Sequence, residues 1–340
     1  MLFSIRGRLP SLTGACVITM VATGLLWGVA TWNAAAEESA AEEKSTCIRY
    51  DLPPGVTHKP FKFAGEIIPM HRQDVRSRIE RAVNFLLLDA RGALTGWFME
   101  KGRYGWIFEE VLAKERVPKD FVLFSAVLSG ISKRSSSRLP GEGWWALSSP
   151  CDEAEGVKMV SDAWCEDRLD PELATRCFAS RLKRLREELG GASWLMAAAA
   201  YVSSPKELGR TVQRWTCDQI WDLPLPANAD ELLTRWIALG IIDSHRKAFG
   251  ITFKDPPPFT YDQVSGLSLA KDLPVSVMAR MTGVSSREIL EINPKVKVAK
   301  GVFPARINGK SHTHALAAPE GRGQVLVKRL KEEGYLSAKK

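Results

Sequence analysis

Histidines, cysteines and carboxylates carry most of the reactive chemistry open to this 340-residue chain. The five histidines (His58, His71, His245, His312 and His314) form no HExxH pattern and no pair one helical turn apart. His312 and His314 fall two apart in a stretch that reads as a loop, where solvated side chains are expected rather than ligands. No two cysteines sit at CxxC spacing, so no zinc site is expected. A glycine-rich phosphate loop and the GxSxG turn of a serine nucleophile are also missing from the sequence. Neither a metal nor a cofactor is therefore expected. What remains is the chemistry of carboxyls and aromatic rings. Glu142 stands two positions before the Trp144-Trp145 pair, Asp120 heads an apolar run, and Tyr201 closes another.

The elements that must position these groups read as helices. Val75, Ile79, Val83 and Leu86 recur at helical spacing and predict a helix from about Asp74 to Glu100. A second is predicted from Trp106 to about Lys114. Val117-Pro118-Lys119-Asp120 starts a third, in which Phe121 to Leu128 is almost wholly apolar and so must be buried. A polar loop follows from Arg134 to Gly143. Asp170 reads as an N-cap with Pro171 in the first turn, and Phe178, Leu182, Leu185 and Leu189 mark the inner face of the helix that Gly190-Gly191 ends. Its Arg181, Lys183, Arg184 and Arg186 read as a solvated face. Shorter helices are predicted over Trp194 to Tyr201, after the capping box Ser204-Pro205-Lys206-Glu207, and from Asp230 to Asp243. No strand alternation appears between residues 70 and 250.

Asp255-Pro256-Pro257-Pro258 is a stiff linker and the clearest boundary. Beyond it, Leu267 to Leu269 and Val302 to Ile307 suggest strands. Val275 to Met281 and Ser285 to Ile292 suggest two short helices, and a basic amphipathic helix is predicted beyond Gln324.

The chain's formal charge is +8, which suits an anionic partner. No dense Lys/Arg block interleaved with aromatics is present, so nucleic acid is not the expected one. Arg6 and Arg8, the apolar stretch Ala15 to Ala30 and Ala34-Ala35-Ala36 predict a cleavable export signal over residues 1–36. The alternative is an uncleaved anchor, since the stretch approaches the lower limit for a membrane span. Cleavage removes Arg6 and Arg8 but no acid, leaving a basic mature chain. Cys47, Cys151, Cys165, Cys177 and Cys217 remain, an odd set, so at least one thiol is free or pairs between chains.

Several short segments resemble the D type of membrane-bound lytic transglycosylases, which carry a lysozyme-like soluble-lytic-transglycosylase domain. The resemblance covers about residues 61 to 330. Phe63-Ala64-Gly65-Glu66 with Pro69 and Asp74-Val75-Arg76 resembles the segment leading into that domain. Val117 to Leu123 resembles the start of the helix that delivers the catalytic residue. Gly143-Trp144-Trp145 falls where the family has Gly-Leu-Trp-Gln, and Ala199-Ala200-Tyr201 where it has Ala-Ala-Tyr-Asn. Trp221-Asp222-Leu223-Pro224-Leu225-Pro226 is the most specific match, to Trp-x-Leu-Pro-Leu-Pro. Met281 to Ser285 and Ile289 to Pro294 resemble the LysM-like region that follows, although Leu267 to Pro274 stands where its usual Tyr-x-Val-x-x-Gly-Asp opening is expected.

The resemblance implies a mainly α fold in which the segments are laid out as follows. A signal covers 1–36, a flexible lead-in 37–60, an N-terminal helical segment 61–105 and a lysozyme-like transglycosylase domain 106–254. A Pro-rich linker (255–261) and a small α/β LysM-like module (262–335) complete it. It also implies one catalytic glutamate, which protonates the glycosidic oxygen of peptidoglycan and then accepts the muramyl C6 hydroxyl proton as the 1,6-anhydro ring closes. A buried apolar setting raises such an acid's pKa. The corresponding residue here is Leu128, which cannot carry a proton. Val202, Ser204 and Ala146 replace the family's Asn, Gly and Gln nearby.

Glu142 is the candidate displaced acid, with a solvated loop glutamate as the alternative. Asp120 lies about two helical turns too far back. Ser129, Trp145 and Tyr201 are the candidate glycan-binding residues, against pure packing for Trp145 and a core tyrosine for Tyr201. The expected protein is periplasmic and catalytically inactive, binding peptidoglycan strands or scaffolding other cell-wall proteins. The alternatives are an active lytic transglycosylase using a displaced acid, and a protein-interaction module without glycan affinity.

Overall fold

Pro54–Thr57 (α1) leads into a tight hairpin of β1 (Phe61–Phe63) and β2 (Glu66–Ile68), as seen in a computed structural model that describes residues 49–132, 140–191, 193–217, 219–297, 300–307 and 309–337. The export signal, the lead-in up to residue 48 and most of the polar loop before Gly141 lie outside the described residues. Ala64 and Gly65 both take positive φ (50° and 81°), the two-residue turn that matches strand twist.

This hairpin has a structural task. The Glu66 carboxylate accepts hydrogen bonds from the Trp194 and Leu195 N–H groups and from Ser193 Oγ, so it caps the positive end of the helix Trp194–Val202. Phe63 packs on Trp236 with ring centroids 4.8 Å apart. A Cβ at Gly240 would lie 2.2 Å from that phenyl ring, so glycine is needed there.

Two helices follow, α2 (Gln73–Asn84) and α3 (Arg91–Lys114), separated by a wide turn at Phe85–Asp89. The break thus falls some fifteen residues earlier than the hydrophobic pattern suggests, and α3 runs straight through residues 100–106. Within it Gly102 serves packing: a Cβ there would meet Pro256 Cδ at 2.6 Å, because the Pro-rich segment crosses the helix at this point.

Helix α4 (Phe121–Ser129) is buried at every residue from Phe121 to Leu128, as its unbroken apolar run requires. Gly130, at φ 74°, ends it. Around α4 pack α5 (Pro171–Glu188), α6 (Trp194–Val202) and α8 (Ala227–Ser244), while α7 (Pro205–Trp215) lies outside with only Leu208 buried. Trp236 Nε1 donates to the Asp120 carbonyl at 2.9 Å, and its ring lies 4.5 Å from Phe121 and 4.9 Å from Phe124. Asp170 Oδ1 accepts from the Glu172 and Leu173 N–H groups, and Ser204 Oγ from Glu207 N–H, as the capping sequences predict.

Cys151 and Cys177 form a disulfide with Cα atoms 5.8 Å apart. Cys165 and Cys217 are free, and Cys47 lies outside the described residues.

After the linker, β3 (Tyr261–Ser268) pairs antiparallel with β8 (Thr313–Pro319). Between them lie β4 (Leu273–Pro274), α9 (Val275–Thr282), α10 (Ser286–Ile292), and short strands β5 (Val302–Phe303), β6 (Arg306–Ile307) and β7 (Lys310–Ser311). Helix α11 (Gly323–Glu332) closes the module over a second core that includes Leu273, Met278, Ile289, Leu316 and Leu326. Strand β8 is not announced by its sequence, because Thr-His-Ala-Leu-Ala-Ala-Pro is poor in β-branched residues. Its pairing with β3 and the Asn293 amide, which bonds both Ala317 N–H and C=O at 2.8 Å, hold it extended.

The module is stapled to the helical body through the main chain. Glu166 N–H donates to the Lys295 carbonyl at 2.8 Å and Lys297 N–H to the Trp164 carbonyl at 2.9 Å, with Cys165 facing Val296. Lys295 Nζ reaches Asp170 at 3.2 Å with both side chains largely buried. Phe259 N–H donates to the Arg103 carbonyl at 2.9 Å, and its ring packs on Tyr104 at 5.6 Å.

Candidate functional site

A six-residue turn, Glu142 to Leu147, follows α4 and is closed by reciprocal main-chain bonds between its ends, both 3.0 Å. Two glycines make it possible. Gly143, at φ 71°, sits where a Cβ would lie 2.0 Å from the Arg168 carbonyl oxygen, and a Cβ at Gly141 would lie 2.2 Å from that of Ala146. Both indoles point inward. Trp144 Nε1 donates to the Leu169 carbonyl at 2.7 Å. Trp145 Nε1 donates to Thr175 Oγ1 at 2.8 Å, and its ring stacks on Phe178 at 4.0 Å.

Successive carbonyls of this turn are held by two of the residues singled out in the sequence. Ser129 Oγ, at the end of α4, donates to the Trp144 carbonyl at 2.7 Å. Tyr201 Oη, at the end of α6, donates to the Trp145 carbonyl at 2.7 Å. Burial pushes the Tyr201 phenol above its ordinary range, so it stays a neutral donor. The structure therefore gathers Ser129, Trp145 and Tyr201 on one turn, but through main-chain carbonyls.

Beside this turn opens a cleft of about 710 Å³, lined by Ala146, Ser148, Tyr201, Val202 and Ser203 and by the charged side chains of Asp152, Glu155, Arg181 and Arg184. Its far wall is the segment Ser148 to Glu155, pinned to α5 three times. One pin is the Cys151–Cys177 disulfide. Another is Ser180, whose Oγ donates to the Glu155 carbonyl at 2.7 Å. The third is Arg181, which grips Glu155 through Nε at 2.8 Å and an Nη nitrogen at 3.0 Å, and also reaches the carbonyls of Ser149 and Pro150. The Arg181 hydrogen bonds hold the Glu155 carboxyl below the ordinary carboxylate range.

The sequence candidates fall as follows. Leu128 is 1% exposed and lies in the hydrophobic core, outside the cleft lining. Trp145 is fully buried, so neither ring face is open to a sugar; its indole is a packing residue and only its carbonyl serves the site. Tyr201 lines the cleft. Glu142 is half-buried and absent from the cleft lining, and its charge is felt at Arg168, which pairs with Glu166. His314 is buried on β8 rather than in a loop, its Nε2 2.7 Å from the Pro304 carbonyl, and burial lowers its pKa to about 4.

Glu155 and Arg181 were not legible as site residues. Arg181 belongs to the basic stripe that reads as a solvated face, and contacts distant in sequence, the disulfide to Cys177 and the Ser180 bond to the Glu155 carbonyl among them, bring the acid to it. Among the described residues no group of three or more His, Cys, Asp or Glu is placed to hold a metal ion.

No family model matches the chain. Membrane-bound lytic murein transglycosylase D of Escherichia coli K12 is 24% identical over 196 residues, which is 56% of this chain and 42% of that protein. The protein of the same name from Escherichia coli O6:H1 matches to the same extent. The chain thus spans about two fifths of the length of the curated relatives it matches. Among the described residues no helix is long and apolar enough to cross a membrane. The mainly helical chain is thus distantly similar, over a little more than half its length, to a lytic transglycosylase.

Proposed function

We propose that this is an exported, peptidoglycan-associated protein that binds glycan strands in the Tyr201 cleft without cleaving them. The observation that carries the reading is the state of the carboxyls. General acid catalysis of glycoside cleavage needs a protonated carboxyl facing the scissile bond. Leu128 stands at the family's acid position and is sealed in the core. Glu142 is not part of the cleft lining. Of the two acids that are, Asp152 accepts the Glu155 N–H as a helix cap, and Glu155 is held in its ionised form by Arg181.

The cleft suits sugar recognition in other respects. It combines the Tyr201 ring and small apolar side chains with the hydroxyls of Ser148, Ser149 and Ser203. The disulfide supports an oxidising compartment, in keeping with a periplasmic location. The C-terminal unit, with two helices between its paired long strands, is read as a LysM-like module fixed against the transglycosylase-like body.

The test is a digest of purified peptidoglycan with the protein, assayed by mass spectrometry for 1,6-anhydro-muropeptides and by pelleting for binding in the same tube. Co-pelleting without anhydro products is the expected result. Anhydro products abolished by Glu142→Gln, Asp152→Asn or Glu155→Gln overturn the non-catalytic reading, and absence of both signals removes the glycan.

A further inference from the structure

The cleft does not end at its lip. Arg184 lines it with a side chain 56% exposed, 3.5 Å from a Glu155 already engaged by Arg181. Pro205, the first residue of α7, lines the same cleft. From there Lys206, Arg210 and Arg214 recur every fourth residue along the helix, and all three are exposed.

None of the three has an ion-pair partner among the described residues, and Glu207 is the helix's only acid. Trp215, at the far end, is 56% exposed. Like charges one turn apart destabilise a helix by roughly 0.2–0.5 kcal/mol per pair. The stripe therefore costs the fold a little, offset only at Arg214 in the helix's last turn.

We infer that this face is a second subsite, which takes the carboxylates of the peptides carried by a peptidoglycan strand. The inference rests on the glycan-binding reading of the cleft. Cations four helical residues apart are spaced about 6 Å along the axis. A peptide hanging from a sugar in the cleft starts at the Arg184 and Pro205 lip and runs outward over α7. Asp152 and Glu155 inside the cleft argue against a polyphosphate chain threaded through it.

The test compares two soluble strands of equal length, one bearing its peptides and one stripped of them by an amidase, titrated onto the full chain by calorimetry. The peptide-bearing strand is expected to bind at least tenfold more tightly, with that advantage shrinking as salt rises. The surface variant Lys206→Gln/Arg210→Gln/Arg214→Gln, checked for an unchanged melting temperature, is expected to lose most of the advantage. Equal binding of the two strands overturns the inference and leaves the cleft reading standing, as does an advantage that survives in the triple variant. Binding of neither strand overturns both. Tighter binding of a single-stranded oligonucleotide than of either strand transfers the stripe to nucleic acid and overturns the inference.

Discussion

The Tyr201 hydroxyl donates to the Trp145 carbonyl at 2.7 Å, and this one bond ties the helix that lines the cleft to the turn that shapes it. Tyr201→Phe keeps the ring and leaves the carbonyl short of a donor, so it should cost about 1–2 kcal/mol in denaturant unfolding. The phenol also sets an alkaline limit. Its pKa lies above the ordinary 10.0 in the folded chain, so above that pH the unfolded chain ionises first and stability falls. The variant should lose less stability than the parent between pH 10 and 11.

Reduction of Cys151–Cys177 should release the far wall of the cleft. The bond spans 26 residues, for which chain entropy gives a stabilisation of about 3.5 kcal/mol. Limited proteolysis should then find new cuts within residues 148–160, absent from the oxidised protein. A reduced protein with the same melting temperature and the same fragments would show that the Ser180 and Arg181 bonds hold the wall without the disulfide.

Glu155 makes the wall sensitive to acid. Its carboxyl ordinarily titrates near 4.5 and is held lower here by Arg181. The stabilisation is therefore complete above 4.5 and is lost as pH falls through the depressed value. Glu155→Gln should cost about 1–3 kcal/mol at pH 7 and flatten the decline in melting temperature between pH 5 and 3. Identical pH profiles for parent and variant would remove Glu155 from the linkage.

A carboxyl placed at Leu128 should not confer peptidoglycan cleavage. Leu128→Glu places a carboxyl in a core site with 1% exposure, at a cost of roughly 2–7 kcal/mol if it stays buried without a partner. Thermal melting should fall sharply, and incubation with peptidoglycan should give no 1,6-anhydro products. Their appearance would show that the end of α4 reaches the substrate after all.

Much of the helical body is legible in the sequence because its signals are local. The apolar run from Phe121 to Leu128, the Asp170 and Ser204 caps and the glycines at Gly130 and Gly190 act within a turn or two of chain. The cleft is less legible because it is made by contacts distant in sequence. Glu155 meets Arg181 across 26 residues, and Glu66 caps a helix 128 residues away. Trp145 is misleading for a related reason. An aromatic pair in a Gly-rich turn looks like a sugar platform, but Thr175 and Phe178 on α5 claim both its N–H and its face. Strand β8 is set by its partner β3 rather than by its own residues.

The main-chain bridge between Cys165 and Val296 makes the C-terminal module and the cleft one mechanical piece. From Cys165 the chain runs directly to Leu169, whose carbonyl holds the Trp144 indole, and the next residue of that turn holds Tyr201. A pull applied to the module travels through these bonds in series to the floor of the cleft, with no slack linker to absorb it.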